Sequence, residues 1–194
     1  MVDYLIVPEA LDKAACDALC AEIRGAAGRD AGLLGRSDQK PAWPRVRRSR
    51  RAEVSAATEA RVSGLLAEQK AALERHFGVV LGAFEKPQFL HYQEGDFFVP
   101  HQDGNTPLIH DESRFRKISA VIFLNRQSDD PLPDNYAGGS LVLHGPYSGP
   151  DLRIAMQALP GSLIAFRSET THEVTPVTRG ERFSIVSWYR GTSS

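Results

Sequence analysis

Cysteine is scarce in this chain of 194 residues, which contains only two copies, Cys16 and Cys20. Two cysteines cannot form the disulfide framework that holds small secreted domains together, so we expect two reduced thiols. An excess of charge of either sign is also missing, since 23 Lys and Arg residues face 24 Asp and Glu residues. No overall field attracts a polyanion, and the sequence predicts neither nucleic acid nor a membrane as a partner.

Long hydrophobic runs are absent as well. The apolar stretch near the amino terminus ends at Pro8 and lacks the basic residues that open a signal peptide. The other apolar runs have the length of a β-strand, well below the ~20 residues that cross a bilayer as a helix. These observations predict a cytoplasmic, soluble protein, and the length predicts one domain, residues 1–194.

The hydrophobic period differs between the two parts of the chain. Up to about residue 86 it is helical, and it predicts one helix over about 12–26 and a second from Ser55 or Thr58 to about Phe77. Residues 28–53, between these helices, have the glycine and proline content of a loop. This segment carries the arginine-rich stretch 45–51, which is interpreted as a solvated loop with local salt bridges rather than a surface that steers an acidic partner. It also carries Trp43, for which two roles stay open: covering the opening of the barrel as a second wall, or packing on a helix.

From Pro87 onward the period is that of strands. Eight short strands are predicted, over 88–92, 97–101, 117–125, 140–143, 152–156, 162–166, 172–177 and 182–190. Two helices followed by eight strands predict a mainly β protein with N-terminal helices (α+β). The expected architecture is an antiparallel sandwich or jelly roll with the helices packed on one sheet.

Two metal-ligating side chains end the second predicted strand. His101 and Asp103 are two positions apart, so in an extended chain they point to the same face. An imidazole and a carboxylate placed in this way are two ligands of a facial triad, although His-x-Asp alone is common by chance. His172, at the start of another predicted strand, is the candidate for the third ligand.

An anion receptor follows His172 in the sequence. A turn at Arg179-Gly180 folds the next strand back beside His172, and Arg182 and Ser184 then share one face of that strand. A guanidinium fork beside a hydroxyl binds a carboxylate well. The arrangement suits a co-substrate that chelates a metal at one end and carries a carboxylate at the other, as 2-oxoglutarate does.

On these residues the chain resembles the prolyl 4-hydroxylase-like branch of the Fe(II)/2-oxoglutarate dioxygenases, which includes the bacterial PKHD-type hydroxylases. The resemblance covers about residues 87–190. It rests on Tyr92-x-x-Gly95 leading into His101-x-Asp103, on Gly138-Gly139, on Pro160-Gly161, on His172 with Arg182 ten residues later, and on Ser187-Trp188-Tyr189.

The resemblance implies a fold and a site. The fold is a cupin-like double-stranded β-helix over about 87–190, supported by the helical residues 1–86. The iron(II) ligands are His101, Asp103 and His172. The 2-oxoglutarate contacts are Arg182, Tyr92 and Ser184. Dioxygen is the further substrate, and ascorbate is an accessory reductant to test.

The implied reaction is hydroxylation of a C–H bond with release of succinate and carbon dioxide. The typical substrate in this branch is a prolyl residue of a peptide or protein, and a free amino acid or small natural product is the alternative. Trp188 is expected to line the substrate pocket. Tyr136, in the polar segment 126–137 that resembles a lid, is expected to contact substrate. A catalytically silent barrel acting as a binding module is the competing function.

Overall fold

The computed structural model describes residues 2–30, 46–105, 110–130, 132–145 and 152–192. Within them the chain forms fifteen strands and two α-helices, which confirms the predicted mainly β class. The first elements are β1 (Tyr4–Val7), α1 (Lys13–Gly25), β2 (Gly28–Asp30), β3 (Arg47–Arg48), β4 (Arg50–Ala52), α2 (Ala56–Phe77), β5 (Leu81–Phe84), β6 (Gln88–Tyr92) and β7 (Phe97–His101). A short 3-10 helix, Glu112–Phe115, precedes β8 (Arg116–Phe123), β9 (Ala137–Gly138), β10 (Leu141–His144), β11 (Arg153–Ala155), β12 (Leu163–Arg167), β13 (His172–Val174), β14 (Val177–Arg179) and β15 (Arg182–Gly191).

The strands form two large antiparallel sheets. The major sheet has eight strands in the order β1-β12-β8-β15-β6-β4-β2, with β5 also paired to β15. The minor sheet has five strands in the order β11-β10-β13-β7-β3, and β14 pairs with β9 in a separate ribbon. Strands that are distant in the sequence are thus neighbours in space. For example, β7 and β13 lie side by side although some 70 residues separate them.

The two helices cover one face of the major sheet. Asp12 and Ser55 begin them, each accepting a hydrogen bond from a backbone N–H three residues later, and Gly78 ends α2 in the left-handed conformation. Their apolar stripes pack on the alternate sheet residues Ile118, Ile122, Leu163, Ala165 and Ile185. No helix within the described parts of the chain is long and apolar enough to span a membrane.

The other face of the major sheet meets the minor sheet. Val121, Phe123, Ile164 and Phe166 of the major sheet pack against Leu141 and Leu143 of β10. Because side chains alternate along a strand, one strand such as β8 serves both the helix-side core and the inter-sheet core. Beside this inter-sheet core the two sheets enclose a cavity, and the candidate site lies there.

The structure corrects several predicted boundaries. Residues 28–53 are not one loop, because their described parts contain β2, β3 and β4, which pair with each other or with β6 and β7. These strands have two or three residues each and no apolar alternation, so tertiary pairing, not local pattern, makes them strands. The predicted strand 172–177 breaks at Pro176, which has no N–H to donate, and continues as β14.

Candidate active site

Three potential metal ligands converge at the cavity wall. His101 ends β7 and is directly paired with His172, the first residue of β13, and Asp103 follows two residues after His101. The Nε2 atom of His101 lies 3.5 Å from Oδ1 of Asp103, and the Nε2 atom of His172 lies 3.4 Å from Oδ2. One ligand atom from each residue lies within 4.8 Å of the other two. This spacing fits one metal ion bound by all three side chains.

The backbone fixes which nitrogen of each histidine faces the metal position. Nδ1 of His101 is 2.8 Å from the carbonyl oxygen of Val99, and Nδ1 of His172 is 2.9 Å from that of Thr170. A carbonyl can only accept, so each Nδ1 carries the proton and each Nε2 has a free lone pair in the neutral ring. Both rings are therefore oriented as ligands before any metal binds.

Two serines hold the Asp103 carboxylate. The hydroxyl of Ser119 on β8 donates to Oδ2 of Asp103 at 2.7 Å, and the Ser119 and Ser168 hydroxyls are 3.0 Å apart. The backbone N–H groups of Asp103 and Gly104 also donate to the Ser168 carbonyl. A Cβ at Gly104 would collide with the Ser113 carbonyl, so this position requires glycine. The aspartate is thus fixed from both its backbone and its side chain.

The three side chains shift one another's protonation. Burial alone would raise the pKa of Asp103, but the facing imidazoles of His172 and His101 hold it well below its usual range. Burial lowers the pKa of His101, and the His172 charge adds to that effect. For His172 burial is the largest single influence and lowers the pKa, but the Asp103 carboxylate and the Thr170 carbonyl together outweigh it, so the pKa is raised. The set has the properties of an ionised carboxylate between two imidazoles, which suits a divalent cation.

We expect Ser119→Ala to weaken metal binding by about 10- to 100-fold, the range typical for removing a hydrogen bond to a ligand. Isothermal titration of the metal-free protein with iron(II) or a redox-silent divalent ion measures this change. Ser187→Ala is the matched control, because this buried serine lies on the neighbouring strand and donates instead to the Glu85 carbonyl. Equal metal affinity in both variants would show that Ser119 does not position the ligand.

A buried, uncompensated guanidinium lies in the same cavity. Arg182 is only 1% exposed, and no carboxylate among the described residues pairs with it. One N–H donates to the Ser184 hydroxyl at 2.8 Å, whereas its Nε has no partner in the described part of the structure. Its charge lies 4.9 Å from the centre of the Tyr92 ring and 5.5 Å from that of Phe123. A buried charge without a counter-ion is costly, so this geometry indicates a binding position for an anion.

A single cavity joins these two features. Its wall includes His101, Asp103, His172, Arg182, Ser184, Tyr92 and Trp188, which are seven of the eight residues that the sequence selected. The remaining wall is largely aliphatic, from Leu90, Val121, Leu141, Val174 and Val186. The orphaned Arg182 nitrogen and the ligand set therefore fit an anionic molecule that also reaches the metal, as 2-oxoglutarate would.

The eighth selected residue, Tyr136, is not at a lid. Its side chain is fully buried in the inter-sheet core, and its hydroxyl has no hydrogen-bond partner among the described residues. Burial raises the Tyr136 pKa, and the nearby Arg182 charge opposes that rise. A Cβ at Gly139 would lie 3.1 Å from Cδ of Arg182 and 3.2 Å from Cε2 of Tyr136, so glycine allows both side chains to approach here. The structure therefore places Tyr136 in the inter-sheet core beside Arg182, and not on the cavity wall.

The segment 126–137 is anchored to the ribbon. Arg179 donates to the carbonyls of Ser128, Asp129 and Asp130, and no described residue of the segment lines the cavity. The described residues of this segment thus do not reach the cavity, and the lid stays a prediction. Trp43, a second candidate wall of the site, lies outside the described residues.

Trp188 does line the cavity, as its position in the sequence suggested. The Arg116 guanidinium lies 3.8 Å from the centre of a Trp188 ring and is held there by an ion pair with Glu85 at 2.7 Å. The indole is therefore fixed from one side. Two polar residues of the wall, Arg47 and Ser119, were not selected from the sequence. Arg47 lies in a segment that the sequence predicted as a loop, so no strand pattern pointed to it. Ser119 is two positions from Val121 on β8, and the alternation of side chains along that strand could have identified Ser119 as a wall residue.

The fold and the site together define a class: a two-sheet β protein in which two histidines and one carboxylate are placed to hold a metal ion, next to a buried guanidinium without a counter-ion among the described residues. A model of the 2OG-Fe(II) oxygenase superfamily matches residues 87–190, and the chain belongs to this superfamily. The resemblance seen in the sequence is confirmed.

Similar proteins fall in the same branch. A PKHD-type hydroxylase of Maricaulis maris is 34% identical over 137 residues, which cover 68% of this chain and 55% of the relative. The chain thus spans about half the length of this curated relative. A prolyl-4-hydroxylase of Pseudomonas putida has the same fold, with a TM-score of 0.70 at 22% identity over 100% of this chain and 95% of the other. A prolyl hydroxylase of Trichoplax adhaerens, bound to a hypoxia inducible factor peptide fragment, has a TM-score of 0.71 at 18% identity over 100% and 89%.

Proposed function

We propose that this chain is an iron(II)- and 2-oxoglutarate-dependent hydroxylase built on a double-stranded β-helix. The observation that carries the proposal is Arg182, a buried guanidinium without a counter-ion in the cavity that also holds His101, Asp103 and His172. A protein that bound only a metal would not require a buried positive charge there. A silent binding barrel would not require three oriented metal ligands.

Each side chain has a defined task in this proposal. His101, Asp103 and His172 would hold the metal ion. When bound, iron(II) together with dioxygen and 2-oxoglutarate supplies the oxidation of a C–H bond, with succinate and carbon dioxide as co-products. Arg182, oriented by Ser184, binds the distal carboxylate of 2-oxoglutarate, and Tyr92 packs beside it. The aliphatic wall keeps water out of the site.

A prolyl residue in a peptide or protein is the proposed substrate. The names of the similar proteins support it, since they include PKHD-type and prolyl hydroxylases, one of them bound to a peptide. A free amino acid or small natural product is the second candidate. The observation that favours it is Arg47, a second guanidinium at the cavity wall that could bind the charged end of a small molecule.

Two measurements test the proposal in order. Anaerobic addition of iron(II) and 2-oxoglutarate should produce the visible absorption band of the chelate, which requires the metal and the co-substrate in one site. Aerobic incubation with prolyl peptides, free amino acids and cell extracts, followed by mass spectrometry, should then show a gain of one oxygen atom coupled to succinate formation. Ascorbate is added in a parallel series. A protein that binds neither iron nor 2-oxoglutarate would be the silent barrel instead.

Tyr136 is reassigned to the co-substrate in this proposal. Its unpartnered hydroxyl faces the Arg182 charge, where the distal carboxylate of 2-oxoglutarate would accept a hydrogen bond. Because hydrogen bonds to charged groups contribute about 1.5–3 kcal/mol, we expect Tyr136→Phe to weaken 2-oxoglutarate binding by at least tenfold.

The chain offers a matched control for this variant. Tyr189 is also fully buried, but its hydroxyl donates to the Leu66 carbonyl on the helix side of the major sheet. Tyr189→Phe should therefore lower thermal stability and leave 2-oxoglutarate affinity unchanged. If the two variants bound 2-oxoglutarate equally well, Tyr136 would have only a packing role.

A further inference from the structure

Arg47 is a second buried arginine at the cavity wall, and the proposed reaction gives it no task. It lies in β3 at the edge of the minor sheet, directly paired with Phe98 of β7. Its side chain is 9% exposed, and its Nε donates to the Ser49 hydroxyl at 2.9 Å. That hydrogen bond orients the guanidinium and leaves the two terminal nitrogens as donors. Arg182 is on the other sheet, so the two guanidinium groups approach the cavity from different walls.

The Arg47 guanidinium is one aromatic ring away from a metal ligand. Its central carbon lies 4.8 Å from the centre of the Phe98 ring. The Phe98 ring is stacked on the His101 imidazole with centres 3.5 Å apart. Arg47, Phe98 and His101 all line the cavity, so a group held by Arg47 would lie in the same cavity as the metal position.

No described carboxylate compensates the charge of Arg47. The next residue, Arg48, points away from the cavity, is 63% exposed and forms an ion pair with Asp96 at 2.9 Å. Arg47 has no such partner among the described residues, although it is the more buried of the two. Buried arginines without a carboxylate at a binding cavity are suited to bidentate recognition of an anion.

Further positive charge lies next to Arg47. Arg51 on β4 is directly opposite Arg29 on β2, a like-charge pair that destabilises a sheet unless an anion offsets it. Burial lowers the pKa of Arg51, the charges of Arg29 and then Arg47 lower it further, and the Glu59 and Glu53 carboxylates oppose this shift. This local concentration of arginine contrasts with the net charge of −1 for the whole chain. Arg29 and Arg51 line a separate pocket that also holds Glu53 and Glu59, so of these three arginines Arg47 is the one at the site cavity.

We propose that Arg47 determines substrate specificity by binding a carboxylate of the substrate. The inference rests on the proposed hydroxylase function and specifies its substrate class. Two sources supply this chemistry: the free carboxylate of an amino acid, and the side chain of an acidic residue next to the hydroxylated residue of a peptide. A guanidinium fork matches both sources, because both present two coplanar oxygens.

The test compares charged and neutral forms of the same probe. The first arm uses free amino acids, beginning with L-proline, against their carboxamides. The second arm uses short prolyl peptides that carry Glu or Asp beside the proline, against the same peptides with Gln or Asn. Binding is followed under anaerobic conditions as the change each probe causes in the visible band of the iron(II)–2-oxoglutarate complex, and turnover is followed as succinate formation.

We expect the carboxylate form to bind about 10- to 100-fold more tightly in one of the two arms, and that arm identifies the source. Arg47→Ala should abolish this difference, and Arg47→Lys should keep part of it, because lysine retains the charge but loses the fork. Arg48→Ala is the control, since its exposed ion pair contributes little and its side chain is not at the cavity.

Several results would overturn the proposal. One is equal binding of the charged and neutral forms in both arms, and another is no response of the visible band to any carboxylate probe. Both results are measured on the unchanged protein, so they do not depend on how Arg47→Ala folds. A third is tighter binding of the carboxylate probe than of its neutral form that persists in Arg47→Ala. Failure of the hydroxylase function is distinguishable, because in that case the iron(II)–2-oxoglutarate band does not form in the unchanged protein at all.

Discussion

His172→Ala should bring 2-oxoglutarate turnover below detection while leaving the metal-free protein folded. The imidazole is one of three ligand side chains, and Ala offers no donor atom in its place. The ring packs edge-on against Phe166 at the inter-sheet core, so its loss leaves a small defect and not an unfolded sheet. Iron content after reconstitution, turnover by succinate formation and thermal melting of the metal-free protein measure the three parts of this expectation.

His144→Ala is the matched control for this variant. His144 is on the adjacent strand β10, but its ring faces away from the cavity and lies 3.1 Å from a Glu173 carboxylate oxygen. This variant should bind iron and turn over 2-oxoglutarate as the unchanged protein does. Near-normal turnover in His172→Ala would remove that residue from the ligand set, whereas a large loss in both variants would indicate a general disturbance of the minor sheet.

The ligand positions were predictable because they depend on local rules. His101 and Asp103 share a face through the two-residue period of a strand, and the strands 88–92 and 97–101 have the predicted bounds in the structure. The pairing of Arg182 with Ser184 follows the same period and is seen as a direct hydrogen bond. Residues within one strand, or joined by one turn, were therefore placed correctly.

The rest of the site depends on long-range pairing, which no local period encodes. Arg47 reaches the cavity because β3 pairs with β7, some 50 residues further on, and a two-residue strand has no pattern to detect. Tyr136 reaches Arg182 from a polar segment that resembled a lid. The supporting contact from Ser119 to Asp103 needs the β8 strand to cross beneath the metal position. These residues refine the site and do not define its class, which is why the family was recognisable without them.

Near Arg182, two residues from separate segments, Tyr136 and Arg182 itself, come together through long-range pairing. Gly138 and Gly139 adopt the left-handed conformation, and Gly139 has no side chain to separate Tyr136 from Arg182. The ribbon of β9 and β14 therefore brings a phenol from one segment and a guanidinium from another to one point. Both carry polar atoms without partners among the described residues, and one carboxylate could bind both.

Arg182→Ala should raise the 2-oxoglutarate concentration needed for half-maximal turnover by two to four decades. Removing one member of a buried charge pair costs about 3–5 kcal/mol, because the remaining charge stays buried without a partner. Arg182→Lys should cause a smaller increase, since the ammonium keeps the charge but cannot form the two parallel hydrogen bonds of the guanidinium. Direct binding of 2-oxoglutarate to the metal-loaded protein, measured without dioxygen, separates this effect from any effect on the reaction itself.

Arg179→Ala distinguishes the anion position from a general effect of losing an arginine nearby. Arg179 is three residues from Arg182, but it donates to backbone carbonyls of the segment 126–137 and does not line the cavity. Its removal should leave 2-oxoglutarate affinity unchanged.

Metal affinity in the absence of 2-oxoglutarate should also be unchanged in Arg182→Ala, because none of the three ligands contacts that side chain through a hydrogen bond. If 2-oxoglutarate bound equally well to the unchanged protein, Arg182→Lys and Arg182→Ala, the buried guanidinium would not be its receptor, and the proposed function would lose the observation that carries it.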